Sequence, residues 1–155
     1  MQKPQTGSRS LENIAVADGA DDGNGHLSPG NRLLLQELGE RLGLTLSMPD
    51  GAVRLSMDDS PDWFLEITED GAMWIIHAEI CKCADTTPAM LDAYLRLNGQ
   101  ISLMRGAAIC IESGSDTVRL YAAINTEQLD IEMLESAFSR LMLLYREQAI
   151  LIRHF

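Results

Sequence analysis

Leucines crowd the stretch SPGNRLLLQELGERLGL, where Leu35, Leu38 and Leu42 recur at helical spacing. Leu34 widens that stripe, and Leu33 and Leu44 add apolar surface beyond it. Ser28 suits a cap, Pro29 the first turn and Gly43 the exit, so the spacing predicts a helix from about Pro29 to Leu42. The period then falls to two. LTLSM reads as a strand closed by the turn PDG, which returns into AVRLSM; DDSPD leads into WFLEIT, and EDG into AMWIIHAEI. Turns at such regular intervals predict an antiparallel meander of three main strands, with Val53 and Leu55 on one face and Arg54 on the other.

Helical spacing returns in TTPAMLDAYLRLNG, where Thr87 and Pro88 give a start and Met90, Leu91, Tyr94 and Leu95 give the pattern. This helix ends near Asn98 and Gly99 or runs on through QISLM. AAICIES and TVRLYAAI form a hairpin around GSD. NTEQLDIEMLESAFSRLMLLYREQ is then a long amphipathic helix with one stripe through Ile131, Leu134, Phe138, Leu141 and Tyr145. Met133, Ala137 and Leu144 make a second stripe, so the helix meets more than one surface. Its acids Glu127, Asp130 and Glu132 lie near the positive end of the helix dipole, and Arg140 and Arg146 lie towards the negative end. The order helix, meander, helix, hairpin, helix defines an α+β fold with an antiparallel twisted sheet and helices packed on it.

Residues 1–29 differ in kind. ADGADDGNGHLSPG is rich in Gly, Asp, Asn and Ser, and only Leu11, Ile14 and Val16 offer anchors, so this part is read as a flexible arm. Residues 30–150 then form the α+β domain, and 151–155 a short tail. DGADDGNG resembles a calcium loop, with Asp18 and Asp22 at ligand spacing. Ala20 stands where a ligand is needed, and the closing glutamate would fall at Pro29, so the match fails.

The chain has 155 residues, enough for one domain with a real core, and 46% hydrophobic residues set it apart from disordered sequences. No apolar run approaches the roughly 20 residues that span a bilayer, and the amino terminus lacks the apolar block of a secretory signal. Three cysteines fit a reducing compartment better than a disulfide framework. The formal charge of −11 repels phosphate backbones and argues against a nucleic-acid ligand.

The densest candidate chemistry is WIIHAEICKCAD. On a regular strand His77, Glu79, Cys81 and Cys83 share a face, a possible beginning for zinc. A closed site needs four ligands, and His26, Cys110 and His154 offer no paired spacing. The preferred reading is a strand that runs out at Ile80 or Cys81, with the cysteines at its fraying end, and neither metal nor cofactor. Asp58, Asp59 and Asp62 read as a solvated turn. No glycine-rich phosphate loop, paired-histidine helix or nucleophile elbow is present, so an enzyme, thiol- or zinc-dependent, is the minority reading.

LLLQELGERLGLTL, then GAVRLSMDD, a strand, a DG turn and MWIIHAEI resemble the first half of the class I type III secretion chaperones, the Tir-chaperone family of small acidic bacterial proteins. MLDAYLRLNGQISLMRGAAICIESGSDTVRLYAAINTEQLDIEMLESAFSRLMLLYREQ continues the likeness, which covers about Arg32 to Gln148 in matching order.

The resemblance implies a cytoplasmic bacterial homodimer without catalytic activity. Its partner would be the amino-terminal segment of one or more secreted effectors, kept extended and competent for export; the secretion-system ATPase is a further implied partner. Effector-contact candidates are Leu33, Leu34, Leu38, Leu42, Leu44, Leu46, Val53, Leu55 and Phe64. Dimer candidates are Met90, Leu91, Tyr94, Leu95, Ile109 and Ile111. The first helix carries more leucines than one core-facing stripe requires, and surplus apolar surface marks an interface. The alternative is a regulatory adaptor of the same fold that binds a protein that is not secreted.

Overall fold

The computed structural model describes residues 11–13 and 23–155. The rest of the expected arm, Asp18 and Asp22 included, lies outside the described residues. In chain order the elements are β1 (Leu11–Asn13), α1 (Pro29–Leu42), β2 (Ala52–Met57), β3 (Trp63–Ile67), β4 (Met73–Lys82) and α2 (Pro88–Asn98). They continue with α3 (Ile101–Met104), β5 (Ala107–Glu112), β6 (Thr117–Asn125) and α4 (Ile131–Leu151). The strands form one sheet in the order β1-β2-β3-β4-β6-β5, antiparallel throughout. The helix, meander, helix, hairpin, helix order is the one the sequence predicts, with β1 added at the edge of the meander.

Local chemistry sets the helix ends. The Ser28 hydroxyl accepts from the Asn31 N–H at 3.2 Å, Thr87 caps α2 through the Met90 N–H, and the Asp130 carboxylate caps α4 through the Met133 N–H. At the exit of α1 the chain turns back tightly. Leu44 donates to the Gly39 carbonyl at 2.8 Å, and a Cβ on Gly39 would stand 2.6 Å from the Leu44 oxygen. Glycine at 39 is therefore a packing requirement.

Two expectations change, and one open alternative is decided. LTLSM is not a strand: Leu46, Ser47 and Met48 are all buried, which an alternating half-buried strand does not allow. The Asn24 side chain takes the ladder's place, donating to the Leu46 carbonyl at 3.2 Å and accepting from the Met48 N–H at 2.8 Å. QISLM does not extend α2, which stops at Asn98; it folds as the separate turn α3. The strand with the cysteines does not fray early, since β4 pairs with β6 as far as Lys82.

The helices cover one face of the sheet. Trp63, Leu65 and Ile67 of β3, Trp74, Ile76 and Ala78 of β4, and Val118 and Leu120 of β6 form the floor of a single core. α4 crosses this floor, with Phe138 and Tyr145 edge-on to Trp63 at 5.4 and 5.8 Å between ring centres. α1 is fixed by a buried polar link: the Trp74 indole N–H donates to Asn31 Oδ1 at 2.8 Å, and Asn31 Nδ2 donates to the Gly71 carbonyl at 3.2 Å. This link sets where the leucines of α1 meet the sheet. No helix among the described residues is long and apolar enough to cross a membrane.

Candidate functional site

α1 lies between two grooves. On one side Leu38 and Leu42 join Leu55, Leu65, Leu134 and Phe138 around a cavity of about 330 Å³ between α1, the sheet and α4. On the other, Leu33 and Leu34 face Leu129 and Ile131 across an open groove of about 700 Å³, with Glu37, Glu40, Asp130 and Glu132 among its lining residues. Arg41 clasps the two helices between these grooves, at 2.8 Å from Glu132 and 2.6 Å from Glu135. The two carboxylates raise its already high pKa, the Glu132 bond most. Leucine floors under an acidic rim suit an apolar polypeptide segment with basic flanks.

Of the effector-contact candidates, Leu34, Leu38, Leu46, Val53 and Leu55 pack in the core of the single chain. Leu42 and Leu44 are half-buried against it, and Leu33 is 56% exposed. Leu38, Leu42 and Leu55 therefore offer a groove wall rather than free side chains. Phe64 lies apart on the opposite face of the sheet, stacked on His77 at 5.2 Å between ring centres. The walls supplied by Leu65, Leu134 and Phe138 were not among the predicted contacts. Leu134 and Phe138 belong to a visible helical stripe, but no local signal says that it packs beside α1.

The dimer candidates divide similarly. Tyr94 and Ile109 are buried, Met90 and Leu91 are half-buried, and Leu95 and Ile111 are 72% and 53% exposed. α3 adds Ile101, 80% exposed, and Leu103 beside them in the chain. Leu103 also borders a cavity of about 310 Å³ shared with Ala107, Ala122, Leu141 and Leu143. α2 and β5 are in contact, so this end of the molecule carries bare apolar side chains on adjoining elements.

The His-Cys stretch does not converge. A bulge between Glu79 and Cys81 breaks the alternation and pairs Cys81 with Val118, whose side chain lies in the core. His77 and Glu79 stay on the uncovered face while Cys81 turns to the helix side, and Cys83 opens a 3-10 turn, so the expected shared face is absent. Burial pushes the Cys81 and Cys110 thiols up, away from the thiolate that chemistry would need. His77, 7% exposed, sits 3.1 Å from Glu66 and 3.0 Å from Arg119, which also pairs with Glu112 at 2.9 Å. In the turn of acids, Asp62 accepts from the Ser56 hydroxyl at 2.7 Å and faces Arg54, bracing β2 against β3.

An α1 set beside an antiparallel sheet, with α2 and a hairpin at its far end, is the architecture of small secretion chaperones. The chain belongs to the Tir chaperone protein (CesT) family, whose model matches residues 33–147. No curated protein resembles it closely enough in sequence to match. Among solved structures, the ExsC–ExsE complex includes a chain similar with a TM-score of 0.67 at 19% identity, covering 81% of this chain and 97% of that one. A chain of the HopA1–SchA chaperone–effector complex aligns with a TM-score of 0.61 at 16% identity, over 76% and 91% of the two chains. The heterodimeric ExoU–SpcU complex from the type III secretion system of Pseudomonas aeruginosa gives 0.61 at 18%, over 74% and 94%.

Proposed function

We propose that this protein is a cytoplasmic bacterial type III secretion chaperone that holds the amino-terminal segment of a secreted effector in extended form, and that it works as a homodimer without bond-making chemistry. The observation that carries the reading is the pair of leucine-floored grooves along α1, open beside an acidic rim. Family membership supports it, as does the occurrence of a chaperone–effector complex among the similar structures. An extended segment laid along α1 buries apolar side chains in the grooves, and release needs only the reversal of that burial.

The homodimer reading rests on Leu95, Ile101 and Ile111, apolar side chains left bare on α2, α3 and β5. The secretion-system ATPase is proposed as the later, transient partner to which the loaded dimer is presented. The test is co-expression of the tagged chain with secreted proteins encoded beside it, followed by limited proteolysis of what is retained. A protected amino-terminal fragment on a dimeric chaperone is the expected result. A strictly monomeric protein that retains no such fragment overturns the proposal, and retention of a protein that is not exported makes the chain a regulatory adaptor instead.

A further inference from the structure

The sheet has two edges, and the chain closes them in different ways. At β5 the Asn98 carboxamide donates to the Ile109 carbonyl at 2.9 Å and accepts from the Ile109 N–H at 2.8 Å. It satisfies both outward backbone groups at the middle of that strand, as a neighbouring strand would, and it is carried on α2, an element rooted in the core by Tyr94 and Leu97. At the other edge β1 lies on β2, with Leu11 opposite Met57, Glu12 opposite Ser56 and Asn13 opposite Leu55.

The described part of the β1 closure is three residues, two of them glutamate and asparagine, which strands disfavour, and it lies against Leu55 to Met57 of β2. Fifteen residues separate Asn13 from Pro29, so the pairing is intramolecular, and a competing strand must outbid an effective concentration on the order of millimolar. Leu55, opposite Asn13, is also a wall of the groove beside α1, so this edge adjoins the surface proposed to receive an effector.

We propose that β1 is a removable placeholder: it pairs with β2 in the empty protein and is displaced when an extended effector segment adds to that edge, while the β5 edge stays sealed by Asn98. The inference rests on the chaperone reading and adds its regulation. If β1 is docked nine-tenths of the time, a competing strand binds about tenfold more weakly than to a permanently open edge.

The test uses the full chain and the double variant Leu11→Pro, Glu12→Pro. Of two adjacent strand residues one directs its N–H at the neighbour, so the pair removes that bond whichever residue makes it. The probe is a labelled peptide of residues 7–18, GSRSLENIAVAD, added in trans. Amide exchange at 55–57 is expected to quicken in the variant, and the peptide to bind it about tenfold more tightly at nine-tenths docking. Equal exchange, or equal peptide affinity, in the two proteins overturns the placeholder while leaving effector capture untouched. Faster exchange with no secreted segment retained by either protein overturns the chaperone reading, and the displacement with it.

Discussion

Asn31→Leu removes a side chain that is 1% exposed and replaces it with one of similar size, leaving little cavity. The Trp74 indole, fully buried, then loses the acceptor that lay 2.8 Å away and has no route to water. An orphaned buried donor costs about 1–3 kcal/mol. The Gly71 carbonyl suffers less, because the Thr126 hydroxyl still donates to it at 2.8 Å. A loss of about 2 kcal/mol shifts the melting temperature of a domain this size by about 4–8 °C. Thermal and urea unfolding, followed by circular dichroism at one protomer concentration, measure it directly. Thr126→Val is the companion, and it should cost less, since Asn31 continues to serve Gly71. The reasoning is refuted if Asn31→Leu stays within about 0.5 kcal/mol of the parent, or if Thr126→Val proves the more damaging of the two.

Leu33→Ser, at a side chain 56% exposed, should leave the unfolding midpoint unchanged and weaken capture of a secreted segment about tenfold in a pull-down titration if Leu33 anchors the guest. On the proposed homodimer, Leu95→Asp combined with Ile111→Asp should leave a monomer in light scattering where the parent chain is a dimer, with the far-ultraviolet spectrum preserved. The Glu112 carboxyl is lowered from 4.5 to about 2, by the Ser115 hydroxyl first and then by Arg119 and Thr117. Because the folded form binds its proton less readily, this contribution is complete above pH 4.5 and fades as pH falls towards about 2. At 40% side-chain exposure solvent screening keeps it small, and Glu112→Gln should flatten that part of the acid limb in urea titrations. Iodoacetamide at neutral pH should modify Cys81 and Cys110 more slowly than a free thiol, in keeping with their raised pKa values.

Much of the fold could be read because its signals are local. Ser28-Pro29 and Gly43 frame α1, the DG turn at Asp70–Gly71 separates β3 from β4, and period-two runs mark the strands. LTLSM misled because its composition suits a strand, whereas its backbone is governed by Asn24, twenty residues earlier and unmarked by any periodicity. Alternation placed Cys81 beside His77, and one bulge, which leaves no trace in composition, turned it away. The leucines of α1 could be counted as more than one core stripe needs, but not divided between core and surface. Whether Leu34 or Leu33 is bare depends on how Asn31 sets the helix on Trp74, a contact across forty-three positions. Asn98 appeared only as the end of a helix; its work at Ile109 is tertiary.

A lateral polymer of sheets needs two growable sides, one to accept the next copy and one to be accepted. Here the Ile109 side is stoppered from within by a carboxamide, so accretion on the β2 side ends with the first arrival. Edge-to-edge growth among copies of this chain is thus held to a pair joined through their β2 sides, since neither copy can offer its Ile109 side to a third.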